Sequence, residues 1–178
     1  MLLYFISIFL LIITIGACVV VAWIVTIFFA TKVPYVRTPR GKINLLLSRF
    51  HFSSRDVVID LGCGSAETLI AIEKQSGAAT IGYELSPFAF VLAKLNIWRQ
   101  HAKTKVYMRD FFKADISKAT IVSMFLLQRI MGDVERFLDR QCKPGTVIIS
   151  YAFTLPTWKP EKVIKGDSGS VFFVYRKH

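Results

Sequence analysis

A β-branched strand that runs into a glycine turn, residues 56–67 (DVVIDLGCGSAE), restricts the fold of this chain more than any other stretch. Val57, Val58, Ile59 and Leu61 make the apolar run of a strand buried on both faces. Asp60-Leu61-Gly62-Cys63-Gly64 then turns the chain toward another apolar stretch of helical period. Glycines in such a turn permit tight backbone dihedrals and let a ligand come close to the main chain. Residues 80–84, TIGYE, supply a second strand ending in an acid. That acid comes about twenty residues after the turn, where strand-turn-helix folds set a carboxylate against ribose hydroxyls.

The ligand follows from what the turn lacks. A dinucleotide turn, G-x-G-x-x-G, needs a glycine where this chain has Glu67, an acid at the place of a pyrophosphate. S-adenosylmethionine has no pyrophosphate, carries an ammonium and a sulfonium, and tolerates nearby acids. On these residues the chain resembles the class I S-adenosylmethionine-dependent methyltransferases, whose first motif is D/E-x-G-x-G-x-G. Asp60, Gly62 and Gly64 match it, and Ala66 stands in place of the last glycine. The resemblance implies S-adenosyl-L-methionine as cofactor and Glu84 as the acid on the ribose diol. It also implies Asp110, in YMRDF after a third strand, as the acid on the adenine side, with Phe111 or Phe112 over the ring.

Residues 1–31 contain no charged side chain. Such a run exceeds the roughly 20 residues that cross a hydrocarbon core, and its isolated Ser7, Thr14 and Thr26 are able to bond back to helix carbonyls. We expect one transmembrane helix within residues 3–29. A cleaved signal peptide fits less well, since there is no basic leader and the run is too long. All 23 Lys and Arg lie beyond it, beginning with Lys32, Arg37, Arg40, Lys42 and Arg49, so the rest of the chain carries the formal +11. The positive-inside rule places that part in the cytoplasm, or in the matrix of an organelle. An anionic lipid bilayer is the simplest partner for the basic cluster. Nucleic acid is disfavoured, because no recognition helix, zinc ligand set or aromatic RNA motif accompanies the charge. Cys18, Cys63 and Cys142 offer no disulfide framework, and no His, Cys and Asp spacing implies a metal.

The remaining elements alternate. Residues 33–40, with two prolines, form an extended connector, and residues 41–50 a short helix with Ile43, Leu46, Leu47 and Phe50 on one side. Helices are expected over 66–75, over 87–101 with Phe88, Val91, Leu92, Leu95 and Trp98 as the buried stripe, and over 132–141. Strands are expected over 105–108, 120–125, 147–151 and 171–175. This cadence predicts an α/β fold, one doubly wound Rossmann-like sheet. The chain divides into an anchor (1–31), a basic connector with a pocket helix (32–50) and a methyltransferase domain (51–178).

The stretch after the fourth strand, SMFLLQ, lacks the Asn/Asp-Pro-Pro-Tyr that methylases of nucleobase amines and glutamine amides use to hold a weak nucleophile. A deprotonated alkyl amine such as lysine needs only desolvation, alignment and a route for its proton. With Val33-Pro34-Tyr35-Val36, Thr38-Pro39, the Asp60 turn, Gly82 to Phe88 (GYELSPF), Arg109-Asp110 and residues 153–158 (FTLPTW), the chain resembles a narrower group. These are the small membrane-anchored protein-lysine methyltransferases related to the mitochondrial enzyme that acts on ATP synthase at its c-ring protein. The resemblance implies Thr38 and Pro39 in the cofactor pocket, and Phe153, Pro156 and Trp158 beside the acceptor channel. Tyr35 and Tyr151 join the acceptor side. No catalytic residue is assigned: Tyr35, Tyr151 and His101 are candidate bases, and loss of the proton to solvent requires none. The partner implied is a membrane-associated protein. A lipid or small-molecule amine methyltransferase, or a noncatalytic tethered cofactor-binding module, are the alternatives.

Overall fold

The computed structural model describes residues 1–30, 40–166 and 169–178. Tyr35, Thr38, Pro39 and most of the connector therefore lie outside the described residues. The chain forms two units, Met1–Pro34 and Tyr35–His178.

The first unit is the helix α1 (Leu2–Ala30). Its segment Leu3–Trp23, 21 residues, is long and apolar enough to cross a membrane. At 1.5 Å per residue it reaches about 30 Å, the thickness of a hydrocarbon core. The hydroxyls of Ser7, Thr14 and Thr26 donate to the carbonyls of Leu3, Leu10 and Ala22 at 2.8–2.9 Å, so the three polar side chains are satisfied within the helix.

In the second unit a seven-stranded sheet runs β3-β2-β1-β4-β5-β7-β6. Its strands are β1 (Val57–Leu61), β2 (Ala79–Glu84), β3 (Lys105–Met108), β4 (Ile121–Met124), β5 (Val147–Tyr151), β6 (Lys162–Lys165) and β7 (Val171–Arg176). The first five are parallel, and the order reverses between β1 and β4. That reversal opens a crevice at the carboxyl ends of the strands, the usual ligand position in such sheets. The crossover helices are α3 (Glu67–Ser76), α4 (Pro87–Arg99) and α5 (Met131–Gln141), and α2 (Arg40–Arg49) packs against α3. Ile43 and Leu46 of α2 are buried, as their period predicts.

Two features differ from expectation. The segment Lys162–Lys165 is a strand, KVIK, that hairpins antiparallel onto β7, which is itself antiparallel to β5. Its lysines belong on a sheet edge, where charge discourages pairing with another chain, and such a pattern does not announce a strand. The second difference is the face that α4 buries. Phe88, Val91, Leu95 and Trp98 are 59%, 62%, 44% and 72% exposed, while Ala89 and Ala93 are fully buried. Phe90 and Ile97 add to that inner face. The helix carries two apolar stripes, and the one with the small residues faces inward because alanine lets α4 approach closely.

The two faces of α4 should respond oppositely to substitution. Ala93→Leu should overpack the interior and cost about 1–3 kcal/mol, whereas Trp98→Ser should stay within about 0.5 kcal/mol, both read from denaturant unfolding in detergent solution. The reverse ranking would contradict the assigned face.

Candidate active site

Three residues in the turn after β1 take positive φ: Gly62 at 92°, Gly64 at 54° and Ala66 at 61°. The amides of Gly62 and Cys63 both donate to the Tyr83 carbonyl, at 2.9 and 3.0 Å, which pins the turn to the end of β2. Cys63 then lies on Gly82, where an added Cβ would stand 2.4 Å from the Cys63 sulfur. Gly82 is thus required by close approach rather than by its dihedrals, the meaning that a glycine inside a strand often has. A Cβ on Gly62 would meet Leu126 Cδ2 at 3.3 Å, so the loop after β4 covers the turn. Ala66 begins α3 in a left-handed conformation that costs a non-glycine residue about 1–2 kcal/mol.

The acids line up on neighbouring strand ends. Glu84, last in β2, accepts from the Gly64 amide through Oε2 at 2.8 Å and from the Ser86 amide through Oε1 at 2.7 Å. A carboxylate offers about four lone-pair directions, so both oxygens keep capacity for ribose hydroxyls. Asp110 follows β3 and caps a short 3₁₀ turn, Phe111–Lys113, by accepting from the Phe112 amide at 3.0 Å. Phe111 packs against Phe112, ring centroids 4.3 Å apart, and both rings meet Phe137 of α5.

Asp60 in β1 is 8% exposed, and burial pushes its carboxyl up to about 7, with the charge of Glu84 adding to the rise and the nearby Ser123 hydroxyl easing it. Ser123 faces Asp60 across the β1–β4 pairing, and its Oγ is buried with no partner of hydrogen-bond geometry among the described residues. The Cys63 thiol is pushed far above its ordinary range, first by burial and then by Asp60 and Glu84, which leaves it neutral. A buried acid short of a counter-charge, beside an orphaned hydroxyl and a positive-φ turn, fits the ammonium end of S-adenosyl-L-methionine. Glu84 and Asp110 fit its ribose and adenine.

Beyond β4 and β5 the lining is apolar. Tyr151, which ends β5, is buried between Phe125 and Phe172, with ring centroids at 4.5 and 5.1 Å. Phe153 is half-buried, and its carbonyl accepts from the Ser150 hydroxyl at 2.6 Å. Pro156 is exposed. Trp158 sits elsewhere. The buried Glu135 of α5 accepts from the amides of Thr157 and Trp158 and from the Thr157 hydroxyl, fixing this segment to α5. The Trp158 ring lies under Lys177, which follows Arg176, the residue paired with the first residue of β5. That end of β5 is opposite Tyr151. His101 is exposed at the carboxyl end of α4, which leads to the start of β3, also away from the acids. Gly82, Ser123, Phe125 and Leu126 lie in stretches that the sequence singles out, yet the sequence reading gave them, and Glu135, no place in the site. Only Gly82, as a glycine within an apolar strand, and Ser123, as a hydroxyl within one, gave a signal.

The family model for the ANTKMT methyltransferase domain matches residues 60–162. The chain belongs to this methyltransferase family. A protein-lysine N-methyltransferase of Saccharolobus islandicus is 32% identical over 146 residues, covering 80% of this chain and 91% of the relative. An adenine nucleotide translocase lysine N-methyltransferase of Mus musculus is 28% identical over 83% of this chain, which spans 64% of that longer protein. Among solved structures, an RNA methyltransferase of Salinibacter ruber bound to S-adenosyl-L-homocysteine superposes with a TM-score of 0.75 at 26% identity, covering 79% of this chain and 93% of that one. The chain is an S-adenosyl-L-methionine-dependent methyltransferase with a Rossmann-like sheet.

The raised Asp60 carboxyl has a consequence for pH. Because its pKa is higher in the folded than in the unfolded chain, ligand-free stability should fall as pH rises from about 4 to about 7, and Asp60→Asn should flatten that slope. A ligand ammonium favours the carboxylate, so S-adenosyl-L-homocysteine binding near pH 6.5 should release part of a proton. Calorimetry in buffers of different ionisation enthalpy measures this. Release should vanish in Asp60→Asn, and its absence from the unaltered protein would remove Asp60 from the cofactor site.

Proposed function

We propose that this enzyme methylates the side-chain amine of lysine in a membrane-associated protein. The observation that carries the reading is the lining beside the acids. Phe125, Leu126, Tyr151 and Phe172 would desolvate an entering group, the three residues that directly follow β4, Phe125, Leu126 and Leu127, bring no carboxylate or amide to hold an aryl amine or amide nitrogen, and the Gln128 amide donates to the Thr154 carbonyl at 3.3 Å. The archaeal and vertebrate relatives named for lysine support it.

When bound, S-adenosyl-L-methionine supplies an electrophilic methyl on its sulfonium. Glu84, already held by two amides, fixes the ribose without having to be ordered first. Gly62 and Gly64 let the backbone approach the ligand, Asp60 orients the methionine end, and Asp110 accepts from the adenine amine beside Phe111. Thr38 and Pro39 join this pocket, and Tyr35, Tyr151, Phe153 and Pro156 border the acceptor; Trp158 acts through its place on α5. The acceptor ammonium loses its proton to solvent before the methyl is transferred, so no base residue is required.

In this reading residues 1–31 anchor the enzyme, residues 32–50 are a basic connector drawn to anionic headgroups, and residues 51–178 catalyse on the cytoplasmic or matrix side. Tethering raises encounter with membrane substrates without altering the chemistry of the bound methyl. Membranes holding the full-length protein, given S-adenosyl-L-methionine with a labelled methyl, should place label on lysine of membrane protein rather than in lipid or RNA. Deletion of residues 1–31 should leave S-adenosyl-L-homocysteine affinity within about twofold while turnover on embedded protein falls by at least about tenfold. Label confined to lipid, small amines or RNA would overturn the lysine reading.

A further inference from the structure

Lys42, in the first turn of α2, extends its amine to 4.4 Å from the centre of the Tyr151 ring. Phe125 meets that ring nearly edge-on, at 71°, and Phe172 lies tilted beside it at 50°. The lysine is half-buried, the tyrosine is buried, and no carboxylate among the described residues pairs with the amine. An ammonium is here received by an aromatic face.

The position of this site gives the contact its meaning. Leu61 pairs with Met124, and Met124 with Ser150, so Phe125 and Tyr151 each follow a strand residue level with the start of the glycine turn. Two strand spacings, about 10 Å, separate β5 from β1. Two other cation-ring contacts among the described residues, Lys94 with Phe90 and Lys177 with Trp158, lie on α4 and at the far end of β7. Lys42 alone among these three reaches a ring at the carboxyl edge of the sheet, the edge at which the cofactor acids also end their strands. An aromatic face also suits an amine that gains methyl groups. It attracts the ammonium and its methylated forms alike, whereas a carboxylate partner would hold the proton that must leave.

We propose that Lys42 is an internal methyl acceptor: its amine occupies the aromatic site that receives substrate lysine and is methylated in the enzyme's own cleft. The proposal rests on the lysine reading above. The Lys42 ammonium gives a proton to solvent. Its nitrogen lone pair then forms a bond to the methyl carbon as the carbon–sulfur bond breaks, and the sulfur keeps that electron pair as the neutral thioether of S-adenosyl-L-homocysteine. The positive charge passes from sulfur to nitrogen, and the methylated amine remains a cation for Tyr151.

Two measurements on the full-length protein test this. The first needs no turnover: competitive acylation of the lysines, read peptide by peptide, should find Lys42 at least about fivefold slower than the exposed Lys118, with the protection lost in Tyr151→Ala. The second is peptide mass spectrometry after addition of S-adenosyl-L-methionine. Lys42 should gain the mass of one or more methyl groups at a first-order rate unchanged by about tenfold dilution, as an intramolecular step requires. Lys42→Arg should remove that mass gain, with S-adenosyl-L-homocysteine binding confirming that the variant is folded. Lys42 acylated as fast as Lys118, a rate that rises with enzyme concentration, or an unmodified Lys42 beside methylated substrate lysines would overturn the proposal and leave the lysine reading standing. Methyl transfer to lipid or RNA alone would overturn both.

Discussion

The carboxylate of Glu84 holds the cofactor end of this fold together before any ligand arrives. One oxygen accepts from the glycine turn that follows β1, the other from the loop that starts α4, and the Glu84 carbonyl accepts from Arg109 beyond β3. Three neighbouring strand ends are thereby tied to one residue. A hydrogen bond to an ionised group contributes about 1.5–3 kcal/mol, and each amide deprived of its partner in a half-buried place costs a comparable amount. The residue that fixes the turn is therefore also the one that meets the ligand, and positioning and binding are inseparable at this site.

Electrostatics divides the labour between the acids. Glu84 and Asp110 have amide donors, whereas Asp60 has a buried setting and the like charge of Glu84, eased only by the nearby Ser123 hydroxyl. Such a group is unsatisfied alone and favours a cation. Across the sheet the chemistry changes from carboxylates at β1, β2 and β3 to phenyl and phenol rings after β4 and β5. Asp60, Glu84 and Asp110 would hold S-adenosyl-L-methionine on the acidic side of that boundary, where its sulfonium would supply the methyl, and the rings on the other side would exclude water from an entering amine.

Where a local run of residues carries its own meaning, the sequence was legible. Asp60, Gly62, Gly64 and Glu84 occupy one strand-turn-helix-strand unit, and their roles follow from order and spacing. The same holds for α2, α3 and α5, whose single apolar stripes leave one face to bury. It fails for α4, which has two stripes, because choosing between them requires knowing that the sheet leaves room for Ala89 and Ala93 but not for Trp98. β6 is short, with lysine at both ends, and takes its strand form from β7. Glu135 with Thr157, and Cys63 with Gly82, depend on contacts between segments about twenty residues apart whose meeting only the finished sheet arranges. The placement of Trp158 on α5, away from Tyr151, belongs to the same class.

The central claim is that one side chain both closes the turn and binds the ligand, and Glu84→Gln isolates it. The amide keeps the shape and one acceptor oxygen but presents a donor to an amide that also donates. Titration calorimetry with S-adenosyl-L-homocysteine, beside denaturant unfolding of the same variant, separates binding from folding. The account predicts a folded protein destabilised by about 1–3 kcal/mol that binds at least about 100-fold more weakly. Affinity within about threefold of the unaltered enzyme, in a variant of unchanged stability, would contradict it.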